Sequence, residues 1–194
     1  MPKEISDVQI IHDGWGRFLV AEIRLEDGQL IKREIEDHGN AVGVLAYDPV
    51  RRVAALVRQF RPPLFYTRKL QNTTEVIAGG AAGDDPEACA RREAFEETGL
   101  QLRTLEHVLT GINMPGVSTA CIDLYLAEYQ ESDRVGKGGG LIEEREDIEV
   151  VELSLEQLAD MVDHGAIVDL TTAFLVQTLR LKRPGLFCQD DTGQ

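Results

Sequence analysis

From residue 8 to residue 36, apolar and polar positions alternate, the period of a half-buried strand. Residues 18–25 and 29–35 read as the two strands of a hairpin, with Asp27-Gly28 supplying the turn. Residues 41–47 and 53–59 are short apolar runs separated by Asp48-Pro49, a turn signal. Residues 73–78 read as another strand, which runs into a glycine corner at Gly79-Gly80. Further strands are predicted around 105–109, 121–129 and 148–153.

The clearest helix begins after that glycine corner. Asp85 can act as N-cap, Pro86 suits the first helical position, and Glu87 favours the positive end of the helix dipole. Gly99 closes the helix as a left-handed residue. Ser154 with Gln157 predicts a capping box for a second helix that Gly165 ends. A last helix starts near Asp169 and stops before Pro184. Strands dominate and the helices come singly, which predicts an α+β or α/β fold with a mixed sheet. The early hairpin lies outside the strand–helix alternation and reads as a small sheet of its own. The chain therefore divides into an N-terminal sheet (1–38), a main domain (39–184) and a loose tail (185–194). Gly138-Gly139-Gly140 reads as the one flexible spot.

The 194 residues suit one domain with a small appendage, and 43% apolar residues suffice for a core. No apolar run approaches the roughly 20 residues needed to span a bilayer. No basic-then-apolar signal follows Met1-Pro2-Lys3-Glu4, so a cytoplasmic protein is expected. A net charge of −14 argues against nucleic acid or an anionic membrane as partner. An anionic ligand would have to be held by local cations, either side chains or a metal. Cys89, Cys121 and Cys188 match neither a disulfide framework nor a zinc site. His12, His38, His107 and His164 are scattered and receive no role.

Candidate chemistry concentrates in residues 91–100. On a helix Glu93 and Glu97 are i,i+4 neighbours and Glu96 is i+3 from Glu93. Like charges at that spacing weaken a helix by roughly 0.2–0.5 kcal/mol per pair. Arg91 and Arg92 can offset this, and a divalent cation would do so better. Magnesium takes oxygen ligands through one or two carboxylates plus substrate phosphates. The commoner fate of such a string is a solvated charged face, and spacing alone leaves both readings open.

The string Arg92-Glu93-Ala94-Phe95-Glu96-Glu97-Thr98-Gly99-Leu100 resembles the C-terminal half of the Nudix hydrolase signature. The N-terminal half is one residue short: counting back from Arg92 gives Ala78 and Asp84 where Gly and Glu belong. A one-residue deletion, with Asp85 replacing the glutamate, accounts for this. The resemblance implies an α/β/α sandwich around a mixed sheet. It implies magnesium, with manganese as the alternative, held by Glu93, Glu97 and the Ala78 carbonyl, with Glu96 close by. Arg92 would orient a glutamate through a salt bridge.

Over most of the chain the sequence is similar to the ADP-ribose and GDP-mannose pyrophosphatase branch, the latter most. The matching pieces include Lys32-Arg33-Glu34, Gly39-Asn40, Arg58-Gln59-Phe60-Arg61, Pro115-Gly116, Gly138-Gly139-Gly140 and residues 146–150. This resemblance implies a homodimer that exchanges its N-terminal strands and binds a nucleoside diphosphate sugar across the interface. Exchange would also protect the exposed edges of the hairpin. Arg61 would grip a phosphate, with Gly79 at the substrate. Lys32, Arg33 and Glu34 would contact base or sugar across the dimer. Trp15, the single tryptophan, would stack on a purine or else pack under the sheet. In the acidic loop 143–147, Glu146 would be a further metal ligand and Glu144 the base that activates water. The glycines at 138–140 would be the hinge of its closure. Products would be a nucleoside monophosphate and a sugar phosphate. Ala120 and Thr171 stand where the GDP-mannose enzymes look to carry an acidic residue and a lysine, which leaves ADP-ribose open. Two other readings are a Nudix-fold regulator that binds a nucleotide without cleaving it, and a hydrolase of another diphosphate.

Overall fold

A computed structural model describes residues 2–81, 83, 85–141, 143 and 147–187. Alternation in the N-terminal segment produces a three-stranded antiparallel sheet of β1 (Glu4–Asp13), β2 (Arg17–Arg24) and β3 (Leu30–Asp37), in that order. The hairpin of β2 and β3 turns at Asp27-Gly28 as read, with Gly28 at φ 87° and its amide donating to the Leu25 carbonyl at 3.0 Å. The added strand, β1, is solvent-exposed along its whole length. The sheet joins the rest of the protein where the Glu36 amide donates to the Val117 carbonyl at 2.7 Å. Alongside, the Thr119 hydroxyl donates to Asp37 at 3.0 Å.

The main sheet runs β10-β5-β4-β9-β8, built from β4 (Ala41–Asp48), β5 (Val53–Gln59), β8 (Glu106–Ile112), β9 (Cys121–Glu128) and β10 (Glu149–Ser154). β4 and β9 are parallel and the other pairs antiparallel, so the sheet is mixed. Residues 73–78 form not one strand but one short strand and the start of another. β6 (Thr73–Glu75) pairs with β5, and β7 (Ile77–Gly80) pairs with β4. The switch comes at Val76, whose amide donates to the Thr172 hydroxyl at 2.9 Å. A side chain has taken the place of a sheet neighbour.

Strand alternation sorts the core into two layers. Val42, Val44 and Ala46 of β4 join Tyr125, Ala127 and the small residues Cys89, Ala90 and Ala94 of α2 (Pro86–Thr98). Leu45 and Tyr47 face the other way, toward α3 (Leu155–Asp163) and α4 (Leu170–Lys182). The result is the α/β/α sandwich expected, with a mixed sheet between helices. α2 begins and ends as read: Asp85 accepts from the Ala88 amide at 2.9 Å, and Gly99 closes the helix at φ 73°. Ser154 and Asp169 cap α3 and α4 in the same way. α1 (Pro62–Arg68), between β5 and β6, was not foreseen; Pro62-Pro63 opens it, and none of its residues is buried. Among the described residues no helix is long and apolar enough to cross a membrane.

Candidate active site

The small face of α2 lets the helix lie close on β7, and this brings glutamate carboxylates against strand backbone. A Cβ at residue 79 would fall 2.0 Å from Cδ of Glu93, so only glycine leaves room for that carboxylate. One turn on, Glu97 is 3% exposed and accepts from the Ala78 amide at 3.1 Å. A buried carboxylate needs such partners, because desolvation without them is costly. Arg92 bridges the others: one terminal nitrogen lies 2.8 Å from Glu93 and the other donates to Glu96 at 2.9 Å. Burial works against the Arg92 charge, but Glu93 and Glu96 outweigh it and raise the pKa above the ordinary value. The structure therefore brings together Ala78, Gly79, Arg92, Glu93, Glu96 and Glu97, and Arg92 offsets the repulsion that the spacing creates.

Arg61 lies at the N-cap of α1, where its guanidinium forms a two-pronged pair with Glu75. Burial opposes its charge, yet Glu75 and, more weakly, Glu97 and Asp169 raise its pKa. The guanidinium thus feels the charge of Glu97 on α2. Lys32, Arg33 and Glu34 lie on β3, paired with Glu22, Ala21 and Val20, and belong to the N-terminal sheet of their own chain. Trp15, in the turn between β1 and β2, is 93% exposed. Packing under the sheet is therefore not its state within one chain. Its ring lies 5.0 Å from that of His38, which in turn meets Phe18 at 5.9 Å. Glu144 and Glu146 lie outside the described residues.

Gly138-Gly139-Gly140 is docked on α2 rather than a loose spacer. All three residues have positive φ, and the amides of Gly139 and Gly140 donate to the Glu97 and Glu96 carbonyls at 2.8 and 3.1 Å. A Cβ on Gly138 would fall 2.4 Å from the Glu97 carbonyl oxygen. Glycine answers a close approach here and satisfies the last carbonyls of the helix.

Could this corner hold a divalent ion? Its donors are carboxylate oxygens with a backbone carbonyl nearby, the hard set that magnesium or manganese prefers. Among the described residues no three side chains already form a complete metal cluster. The carboxylates of Glu93, Glu96 and Glu97 are held instead by Arg92 and the Ala78 amide. That donor set fits an ion that keeps waters and shares substrate oxygens, not one caged by protein alone. The cavity of about 430 Å³ lined by Tyr47, Glu128, Tyr129 and Arg183 lies at the other end of β4 from Gly79, so it is separate from this corner.

A model of the NUDIX domain matches residues 37–169, taking in the strand–glycine–helix corner from end to end. The chain belongs to the Nudix hydrolase family. Members of this family generally use divalent metal ions. The chain is 36% identical over 169 residues to the GDP-mannose pyrophosphatase of Cronobacter sakazakii, spanning 86% of this chain and 87% of that one. It is also 36% identical to a GDP-mannose pyrophosphatase of Escherichia coli, over 82% of this chain and 84% of the relative. A Shigella dysenteriae protein of the same name is 35% identical over 163 residues.

In this Nudix hydrolase two residues contact predicted site residues without having been assigned a role from sequence: Glu75, which pairs with Arg61, and His38, whose ring meets Trp15. An acidic residue inside the apolar run 73–78 was the available signal for Glu75. Nothing in the sequence marks His38, because its ring contacts arise only when β3 ends beside the β1–β2 turn.

Proposed function

We propose that this enzyme hydrolyses the pyrophosphate bond of a nucleoside diphosphate sugar, giving a nucleoside monophosphate and a sugar phosphate. The observation that carries the reading is the α2 corner, where glutamates are packed on glycine and strand backbone with Arg92 between them. GDP-mannose is the preferred substrate, as in the named activity of the relatives. ADP-ribose is the competing one, because Ala120 and Thr171 offer less polar reach than an acid and a lysine would.

Glu93, Glu97 and the Ala78 carbonyl would hold magnesium, with Glu96 beside them and Glu146 as a further ligand. When bound, such an ion withdraws charge from the diphosphate oxygens and makes a water easier to deprotonate. Arg92 orients the glutamates, Arg61 grips a phosphate, and Glu144 takes the proton of the attacking water. Attack in line at one phosphorus then expels the other phosphate. The N-terminal sheet (1–38) serves the main domain (39–184) of a second copy, bringing Trp15 to the base and Lys32, Arg33 and Glu34 to base or sugar. In support, Trp15 and β1 are exposed in the single chain. No role is proposed for the tail (185–194).

A panel of GDP-mannose, ADP-ribose, NADH and diadenosine tetraphosphate at millimolar magnesium tests the reading, run with and without Glu97→Gln. Cleavage of one nucleotide sugar, reduced about a hundredfold or more by the substitution, is the expected outcome. Nucleotide binding with no cleavage of any compound would make the protein a regulator instead.

A further inference from the structure

Glu75 is 7% exposed, a carboxylate placed inside the sheet. A buried charge of this kind persists only when it is paired and hydrogen-bonded. Arg61 Nε donates to both Glu75 oxygens at 3.1 Å, and Nη2 donates to Oε2 at 2.7 Å. Gln59 adds a bond at 3.4 Å, and the Thr73 hydroxyl donates to Oε1. Gln59 and Thr73 are themselves paired across β5 and β6, so the sheet fixes the carboxylate from two strands.

Arg61 has left the sheet. Its side chain is 42% exposed at the start of α1, on a helix with no buried residue to anchor it. Glu75 engages the Nε and Nη2 edge of the guanidinium, and Nη1 lies on the other side of the fork. Glu75 and Ala78 lie on the consecutive strands β6 and β7, and the Ala78 amide donates to Glu97, so the clamp stands on the stretch of chain that leads into the α2 corner. A long arginine that must be immobilised by its ligand loses rotamer entropy on binding, whereas one already clamped does not.

We propose that Glu75 is a positioning residue for the diphosphate, clamping one edge of Arg61 so that the Nη1 edge is presented to substrate phosphate oxygens. This rests on the reading of the corner as a nucleoside diphosphate sugar site. Arg61 then acts as a fixed fork instead of a mobile charge, and a lysine could not replace it.

The test is binding of GDP to the full chain by calorimetry at millimolar magnesium, with GDP-mannose kinetics alongside. Glu75→Gln, Arg61→Ala and Arg61→Lys should each weaken GDP binding about tenfold or more. KM should rise more than kcat falls. In the Arg61→Ala background, Glu75→Gln should add less than about a twofold loss, because the two residues act as one unit. Losses that multiply would make Glu75 structural only and overturn the proposal. So would GDP binding by Glu75→Gln within about twofold of the parent. Arg61→Lys keeps the charge without the clamp and decides the matter if Glu75→Gln does not fold; parental binding by that variant also overturns it. Failure of the functional reading looks different, since the parent would then bind GDP and cleave no nucleotide sugar.

Discussion

At position 79 the difference between hydrogen and methyl separates folding from chemistry. Gly79 is not among the residues with positive φ, so alanine meets no backbone penalty there. The obstacle is the Glu93 carboxylate, 2.0 Å from where the methyl carbon would be. A side-chain terminus can swing away, and Gly→Ala at a compatible backbone position is itself worth about 0.4–1 kcal/mol of stability. Gly79→Ala should therefore melt at or slightly above the parent temperature while Glu93 loses its place on β7. Titration with manganese should show at least about tenfold weaker binding in the variant. Parental manganese affinity would mean that Glu93 does not work from the position it occupies against β7.

At the scale of elements, much of the protein was legible because local chemistry and tertiary packing agree. α2 was readable from Asp85 and Pro86 to Gly99, since its caps are local and its ends do form those bonds. α1 was missed because its seven residues carry no buried face, leaving only Pro62-Pro63 as a signal. The break at Val76 was invisible, since the residue that causes it, Thr172, is ninety-six positions away. The α2 glutamates were singled out by their spacing, which alone left a solvated face open, and their expected metal role came from the resemblance; Glu75 required knowing which strands pair. A different polar cluster, at the sheet surface, ties β10 to the remainder: Glu152 accepts from Arg134 at 2.8 Å, from the Tyr129 hydroxyl at 2.7 Å, and from Arg51. Burial alone would raise the Glu152 pKa, but hydrogen bonds from Arg51, Tyr129 and Arg134 pull it below the ordinary 4.5. A depressed folded pKa contributes stability that is complete above the unfolded value and lost as pH falls through the folded one. Melting curves of Glu152→Gln should lie below the parent at neutral pH, and the gap should close as pH drops well under 4.5. A gap independent of pH would assign the loss to packing alone.

At the scale of the whole molecule, the N-terminal sheet poses the largest unanswered contact. Ile5, Val8, Ile10 and Ile11 all lie exposed on β1, an edge strand of its sheet. An apolar edge of that length is a pairing surface that a stable monomer would ordinarily blunt with charge or proline. Trp15 and Arg33 are carried by this sheet and the glutamates by α2, and under the proposed function a second copy brings the two together. Ile11 is the sharpest probe. It is the residue skipped where the β1–β2 register shifts between Ile10 and His12, and it is 63% exposed. In a monomer a charge there should change stability by no more than about 0.5 kcal/mol. In an interface it would bury an unpaired carboxylate, which is strongly destabilising to association. Light scattering should give the parent twice the 21.5 kDa chain mass and Ile11→Glu a single chain with a nearly unchanged melting temperature. If the substrate is shared between copies, KM for GDP-mannose should rise in step with dissociation and recover as protein concentration is raised. A monomeric parent with full activity would place the whole site within one chain and leave the apolar edge to some other partner.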